Sequence, residues 1–404
     1  MGLLHGPENE LNQIHSQMKR FFIVTSLASL FISFLSAQNL TVSPAEVVVT
    51  YEQMKLQGIR EFDNGIYGII EKENIKWFSS CSRTPMGQTV SVGPAEEPLE
   101  FICTKGAQIE SFPNLRPDRD YPGNFAWIAN VYDMKNSDVL AFIHCEESLN
   151  SKSPTKRGGV YFRFGLAIAK NGGRDWKWLG YIIEPNVSFR DWYMSVYPNT
   201  NLNIGYANYI IKDGYFQVYY RDNMGVKEGE TARDGIAIAR ARVDEVVEAA
   251  ENGRICVWNK YYNGKWDEPG LGGKFTPLNI PTSGLMHGDA AYNKHLNKYV
   301  MAVRGSKWEN VDKSEIKLSF SDDGFTWTDW KIIHQDQHLN DYPTIISMGS
   351  TEGVSDREFH SYAPGDSNEI TGKEFYVYFL CHYDKLMPEK FGKTCYKRVK
   401  ITLD

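Results

Sequence analysis

Three carboxylates in separate parts of the chain stand where strands begin or end. Asp63 precedes an Asn64-Gly65 turn, Glu146 closes the apolar run Val139–Cys145, and Asp289 lies in a His-Gly-Asp triplet. Carboxylates in pairs can donate and accept protons at one reacting centre. In a strand, side chains alternate between faces, so His144 and Glu146 share one side while Cys145 and Glu147 take the other. His144 is therefore a partner for Glu146, and Glu147 is not. Other candidates are Trp127, Tyr206, Asn208, Arg221, Asp222, His287, Arg304, His382 and Asp384. Aromatic faces stack on sugar rings, and charged or amide groups bind hydroxyls. Structural alternatives exist for several: a turn residue at Asp63, a strand-start cap at Asp289, an ion pair at Arg221–Asp222, hairpin ends at His382 and Asp384. His144, Glu146, His287 and His382 could also ligate a metal, but no compact ligand motif such as H-E-x-x-H occurs. No metal or cofactor is expected, apart from room for a structural or pore Ca²⁺.

Elements able to hold these residues follow from composition and pattern. Aromatic residues make up 13% of the 404, with 34 glycines, which suits a turn-rich β fold with an aromatic cleft. The net charge of −6 gives no basic stripe for nucleic acid. Lys19 and Arg20, the apolar run Phe21–Phe34 and the small residues Ser36 and Ala37 form the layout of a secretory signal, cleaved after Ala37. The polar segment before it points to Met18 as the start. Residues 1–37 thus read as an upstream extension plus signal, and 38–404 as one domain, exported and without a membrane span. Six cysteines in such a chain permit disulfides. Cys381 and Cys395 flank one hairpin and Cys81 and Cys103 another, while Cys145 and Cys256 read as buried thiols.

Ser43, Pro44 and Glu46 predict a capped N-terminal helix ending at Gly58, and a second short helix runs from Val243 to Asn252. The rest reads as strands and turns. Gly165–Gly180 parallels Ile316–Trp330, each a strand, a glycine-containing turn and a tryptophan (Trp176, Trp327). Asp322, Gly324, Thr326 and Trp327 have the spacing of an Asp-box turn, with Phe320 where serine is usual. Strand pairs precede each copy, and residues 38–404 divide into five units of roughly 70 residues. The expectation is an all-β, five-bladed β-propeller with one N-terminal helix and a short inserted helix, a six-bladed count or a β-sandwich being the alternatives.

In such blades the innermost strand leaves one face of the ring and the second strand returns to it. Second-strand ends (His144 and Glu146, Arg221 and Asp222, Arg304, His382 and Asp384) then share a rim with first-strand starts (Asp63, Trp127, Tyr206 and Asn208, His287 and Asp289, Tyr342). A mouth lined this way is where a ligand binds.

The strand pair Asn208–Phe216, the segment His287–Met301 and the Asp-box-like turn resemble the five-bladed glycoside hydrolases, the family 43 arabinanases and xylosidases and their relatives. That resemblance implies three rim carboxylates acting as base, pKa modulator and acid, with Asp63 at the base position. The family tends to place its acid just before such a "YIIK" strand, where this chain has Gly205-Tyr206-Ala207-Asn208. Glu146 takes the acid role instead, and Asp289 that of the modulator, by like-charge proximity. The expected function is an exported glycoside hydrolase on polysaccharides or oligosaccharides. A polysaccharide lyase on a uronate glycan, with Arg221, Arg304 and His287 neutralising the carboxylate, and a non-catalytic sugar-binding propeller are the alternatives.

Overall fold

The computed structural model describes residues 39–56, 65–71, 74–82, 87–93, 103–104, 124–134, 136–149, 159–170, 172–173, 175–194, 203–205, 208–223, 234–278, 287–305, 314–347, 370–382 and 394–404. The chain divides into two units, Met1–Asn39 and Leu40–Asp404. The signal-like segment, with Met18 and Ala37, lies outside the described residues. No described helix is long and apolar enough to cross a membrane.

The second unit begins with β1 (Leu40–Val42), β2 (Glu46–Val49) and α1 (Tyr51–Leu56). The helix expected from Ser43 therefore starts later. Val47–Val49 are β-branched and favour the pleated conformation, and β2 pairs with the last strand of the chain. Ser43 closes against that strand too, its Oγ accepting from Lys400 N at 2.9 Å. The capping box that does form is Thr50–Gln53. Thr50 N donates to Gln53 Oε1 at 2.8 Å, and Gln53 N donates to Thr50 Oγ1 at 3.2 Å.

Sheet 1 follows: β3 (Tyr67–Glu71), β4 (Asn74–Ser82), β5 (Gly87–Gly93) and β6 (Cys103–Thr104). Sheet 2 is β7 (Asn124–Asp133), β8 (Val139–Leu149), β9 (Gly159–Lys170) and β10 (Asp175–Ile183), followed by α2 (Phe189–Met194). Sheet 3 holds β11 (Asn203–Ile204), β12 (Asn208–Lys212), β13 (Tyr215–Asn223), β14 (Asp234–Arg242), β15 (Asn259–Tyr262) and β16 (Lys265–Pro269). The helix α3 (Val243–Glu251) is inserted between its β14 and β15, as the sequence predicts. Sheet 4 is β17 (Gly288–Asn293), β18 (Lys298–Arg304), β19 (Ser314–Ser321) and β20 (Lys331–Asp336). Last come β21 (Leu339–Ser347), β22 (Ile370–Thr371), β23 (Glu374–His382) and β24 (Thr394–Leu403).

Each of sheets 1 to 4 contains four consecutive strands in an antiparallel meander. These are four blades, and the architecture is an all-β propeller arrangement with three short helices among the described residues. The expectation of five alike blades fails at the fifth sheet. Its order is β1-β24-β23-β21, so its outer strand comes from the opposite end of the chain, and β22 leaves it to pair in parallel with β17. The innermost strands nevertheless make a continuous circuit: β3 touches β7, β7 touches β12, β12 touches β17, β17 touches β21, and β21 touches β3.

Apolar clusters fill the gaps between successive sheets. Trp176 packs edge-on to Phe78 of sheet 1 and Trp327 edge-on to Tyr219 of sheet 3, so both repeat tryptophans sit between neighbouring sheets. The Asp-box-like turn is shifted by one residue from its expected register. Asp323 Oδ1, not Asp322, accepts the Phe325 and Thr326 amides, each at 2.7 Å, and Ser321 Oγ accepts Gly324 N at 2.8 Å. Gly324 has φ +76°, and a Cβ there would lie 2.7 Å from the Tyr219 hydroxyl. Asp322 instead pairs at the surface with Lys298, 2.9 Å away.

Candidate functional site

Strand alternation separates the two glutamates of β8. Phe142 packs with sheet 3 and Ile143 and Cys145 pack with sheet 1, so Glu146 and His144 face sheet 3. His144 Nε2 lies 3.1 Å from Glu146 Oε1. The imidazole is 8% exposed, enclosed by Trp127, Phe162 and Phe164 with ring centroids 5.2–5.9 Å away. Its Nδ1 has no hydrogen-bond partner among the described residues. With a proton on Nε2 the ring donates to Glu146, and Nδ1 faces the aromatic enclosure. Expected to bind substrate, His144 and Trp127 are both buried, and His144 holds the carboxylate next to it. Glu146 is partly exposed.

Glu147 turns the other way and is buried. Arg163 donates to its Oε1, Tyr181 OH donates to the same oxygen at 3.1 Å, and the Arg163 guanidinium lies 3.6 Å over the Tyr181 ring. Arg163 also approaches Glu184 at 3.5 Å. Glu147 is thus committed to an internal ion pair.

A second cluster forms where sheets 4 and 5 meet. Asp341, fully buried at the start of β21, accepts from His287 through Oδ1 at 2.7 Å and from Arg304 Nη1 through Oδ2 at 2.7 Å. The Tyr342 amide donates to Oδ1 as well, at 2.8 Å. Burial raises the Asp341 carboxyl, but Arg304, His287 and these hydrogen bonds outweigh it and hold the group well below the usual carboxylate range. The Nδ1–H of His287 donates to the Asp341 carboxylate, which turns Nε2 away from that pair. Tyr342 stacks on the imidazole at 4.2 Å with the planes 12° apart, and its φ is +51°. The pairing of β21 with β23 shifts register between Asp341 and Thr344, and such bulges re-aim side chains beside functional sites. His382, at the end of β23, is buried close by. Burial pushes its pKa down to about 4, with Asp341 raising and Arg304 lowering it.

The rim rule therefore brings together His287, just before β17, Arg304 at the end of β18 and His382 at the end of β23. The residue at their centre, Asp341, was missed. Its signal was present: the same rule pointed to Tyr342, one position along, and the bulge hid which side chain turns inward.

The remaining candidates are dispersed. Asp289 is fully buried, with Oδ1 accepting the Ala290 amide at 2.9 Å and Oδ2 the Ile345 amide at 2.8 Å, so it ties sheet 4 to sheet 5. Asp222 is buried on the face of β13 that carries Tyr220, toward sheet 2, and alternation sends half-buried Arg221 to the other face. Asn208 is buried on β12. Asp63, Tyr206 and Asp384 lie outside the described residues. Among the described residues, no group of three or more His, Cys, Asp or Glu side chains is placed to hold a metal ion.

A cavity of about 600 Å³ opens elsewhere, between α3 and the ends of β10 and β16, lined by Ile182, Ile255, Trp258 and Leu271 among others. Its carboxylates are exposed and answered by arginines, Glu245 by Arg242 and Glu248 by Arg254.

No protein-family model matches the chain, and no curated protein matches it. Solved structures similar to it include a family 117 glycoside hydrolase from the marine bacterium Zobellia galactanivorans (9% identity, 90% of each chain, TM-score 0.46). Another is the catalytic domain of a Coprinopsis cinerea family 62 α-L-arabinofuranosidase (7% identity, 91% of this chain and 97% of that one, TM-score 0.46). A third is a Bacillus subtilis arabinanase (12% identity, 85% of this chain and 94% of that one, TM-score 0.43). The propeller arrangement here rests on the chain's own sheet order and ring contacts.

Proposed function

We propose that this chain is an exported glycoside hydrolase acting on polysaccharides or oligosaccharides, on a five-bladed propeller whose fifth blade is the composite sheet. The observation that carries the reading is the buried Asp341 carboxylate holding His287 by Nδ1, with Arg304 on its other oxygen. An imidazole so held accepts a proton at Nε2, and the ionised Asp341 stabilises the imidazolium that results. His287 serves as base toward the attacking water, and Glu146, steadied by His144, protonates the departing glycosidic oxygen. Asp63, which the family resemblance puts at the base position, is the competing base. Asp289, with both oxygens on backbone amides, acts through the geometry of the mouth and not as a proton carrier. Tyr342, lying flat on His287, supplies an aromatic edge to the sugar site.

The lyase reading keeps one point in its favour, since a histidine base is what proton abstraction beside a uronate needs. It also needs an available cation, and Arg304 is fully buried on Asp341. Incubation with a panel of neutral and uronate polysaccharides decides between them. New reducing ends without ultraviolet absorbance are expected; absorbing unsaturated products would establish the lyase, and binding without any product the sugar-binding propeller.

A further inference from the structure

Cys381 and Cys395 face each other across β23 and β24 as direct partners in the antiparallel register. Both are fully buried thiols in this structure. Directly opposed residues of antiparallel strands have Cα atoms about 4.5–5.5 Å apart, inside the roughly 4.4–6.8 Å that disulfides span. Cys81 and Cys103 lie on β4 and β6, which β5 separates, and neither Cys145 nor Cys256 has such a partner. Cys145 stands opposite Ala126 and Arg163, and Cys256 lies in the loop after α3. We infer that Cys381 and Cys395 close a cross-strand disulfide in the composite fifth sheet when the chain folds in an oxidising compartment.

The chemistry is thiol–disulfide exchange with a small-molecule disulfide or a dithiol oxidoreductase. The Cys381 thiolate attacks one sulfur of the donor disulfide, forming a mixed disulfide and expelling the first donor thiolate. The Cys395 thiolate then attacks the Cys381 sulfur and expels the second. Both protein protons end on the two donor thiols, so one dithiol is oxidised and one disulfide reduced. Exchange belongs to the folding chain, before sheet 5 is packed. In the folded protein each thiol lies against the other, and this contact together with burial pushes the Cys381 thiol far above its ordinary range. A buried pair already opposed by strand register is preorganised to close and, once closed, is shielded from reductant. The linkage would staple the second and third strands of the sheet that joins the two ends of the chain, one residue from His382 at the mouth.

Peptide mapping tests this without reference to catalysis, so its failure is separate from failure of the hydrolase reading. The full chain is refolded in a mixed oxidised and reduced glutathione buffer, alkylated in denaturant and digested with trypsin. The expected product is the peptide Glu374–Lys385 joined to Thr394–Lys397, two hydrogens lighter than the separate pair, with Cys145 and Cys256 alkylated. A reductant should break the link only when denaturant is present, and breaking it should lower the melting temperature by roughly 5 °C. Alkylation of both cysteines after refolding, or linkage of Cys381 to any other cysteine, would overturn the inference. Cys395→Ser provides the control, since its Cys381 must then be recovered alkylated.

Discussion

Glu146 and Glu147 are chemically alike and adjacent, yet their surroundings assign them opposite duties. Glu146→Gln keeps a hydrogen-bonding partner for His144 and removes an ionisable, partly exposed carboxyl. We expect its stability to be unchanged and its turnover to fall about 10²–10⁴-fold, the usual worth of acid–base catalysis. Glu147→Gln breaks a buried ion pair with Arg163, for which about 3–5 kcal/mol of stability is the expected loss, read by denaturant titration. The alternation that separates the two was legible from "VLAFIHCEES" alone, whereas the ion pair was not, because Arg163 belongs to another strand. His382 gives a pH test. The native state keeps it neutral down to about pH 4, against 6.5 for the ordinary side chain. Between these values the unfolded chain binds the additional proton, so stability falls as pH drops through the window and levels off below it. At about 1.4 kcal/mol per pKa unit the loss is about 3 kcal/mol. Comparing unfolding of wild type and His382→Gln from pH 7 to 4 checks it, the variant showing the shallower slope. Asp341 adds its own loss only lower, as pH falls below the ordinary aspartate range and the carboxylate is protonated.

At the scale of elements, the repeat of strand, turn and tryptophan was readable because it depends on local residue types. Its register was not, since Asp322 and Asp323 both fit a turn cap and only the fold decides which carboxylate meets the amides. Asp323→Ala should cost about 1–3 kcal/mol, as two turn amides lose their acceptor. Asp322→Ala, at an exposed ion pair, should stay within about 0.5 kcal/mol. Trp327→Ala should cost about 3–5 kcal/mol. Thermal or denaturant unfolding of the three variants reads the register directly, and equal effects of the two aspartates would contradict it. The N-terminal helix was misplaced for a related reason. Ser43-Pro44 carries a helix-start signal, but the valines after it gain more by pairing with β24.

For the whole molecule, alternation, periodicity and the shared rim were enough to reach a β-propeller and to bring His287, Arg304 and His382 into one cluster. Two things escaped because they depend on distant parts of the chain: the fifth sheet borrows β1 from the N-terminal end, and Asp341 turns inward only because β21 is bulged. Ring closure by that borrowed strand makes its own prediction. A chain beginning at Thr50, lacking β1 and β2, should melt at a clearly lower temperature than one beginning at Leu40, and an unchanged melting curve would mean that the two strands merely decorate the sheet. The claim that binds site to function is that His287, held by Asp341, moves the proton. His287→Asn retains a donor for the Asp341 carboxylate and removes the accepting nitrogen. The most direct measurement is therefore kcat/KM of wild type and His287→Asn on whichever glycan of the panel yields most reducing ends. A fall of about 10²–10⁴-fold with an unchanged melting temperature is the predicted result. Near-wild-type turnover in His287→Asn, with Asp63→Asn inactive, would contradict it and return the base to Asp63.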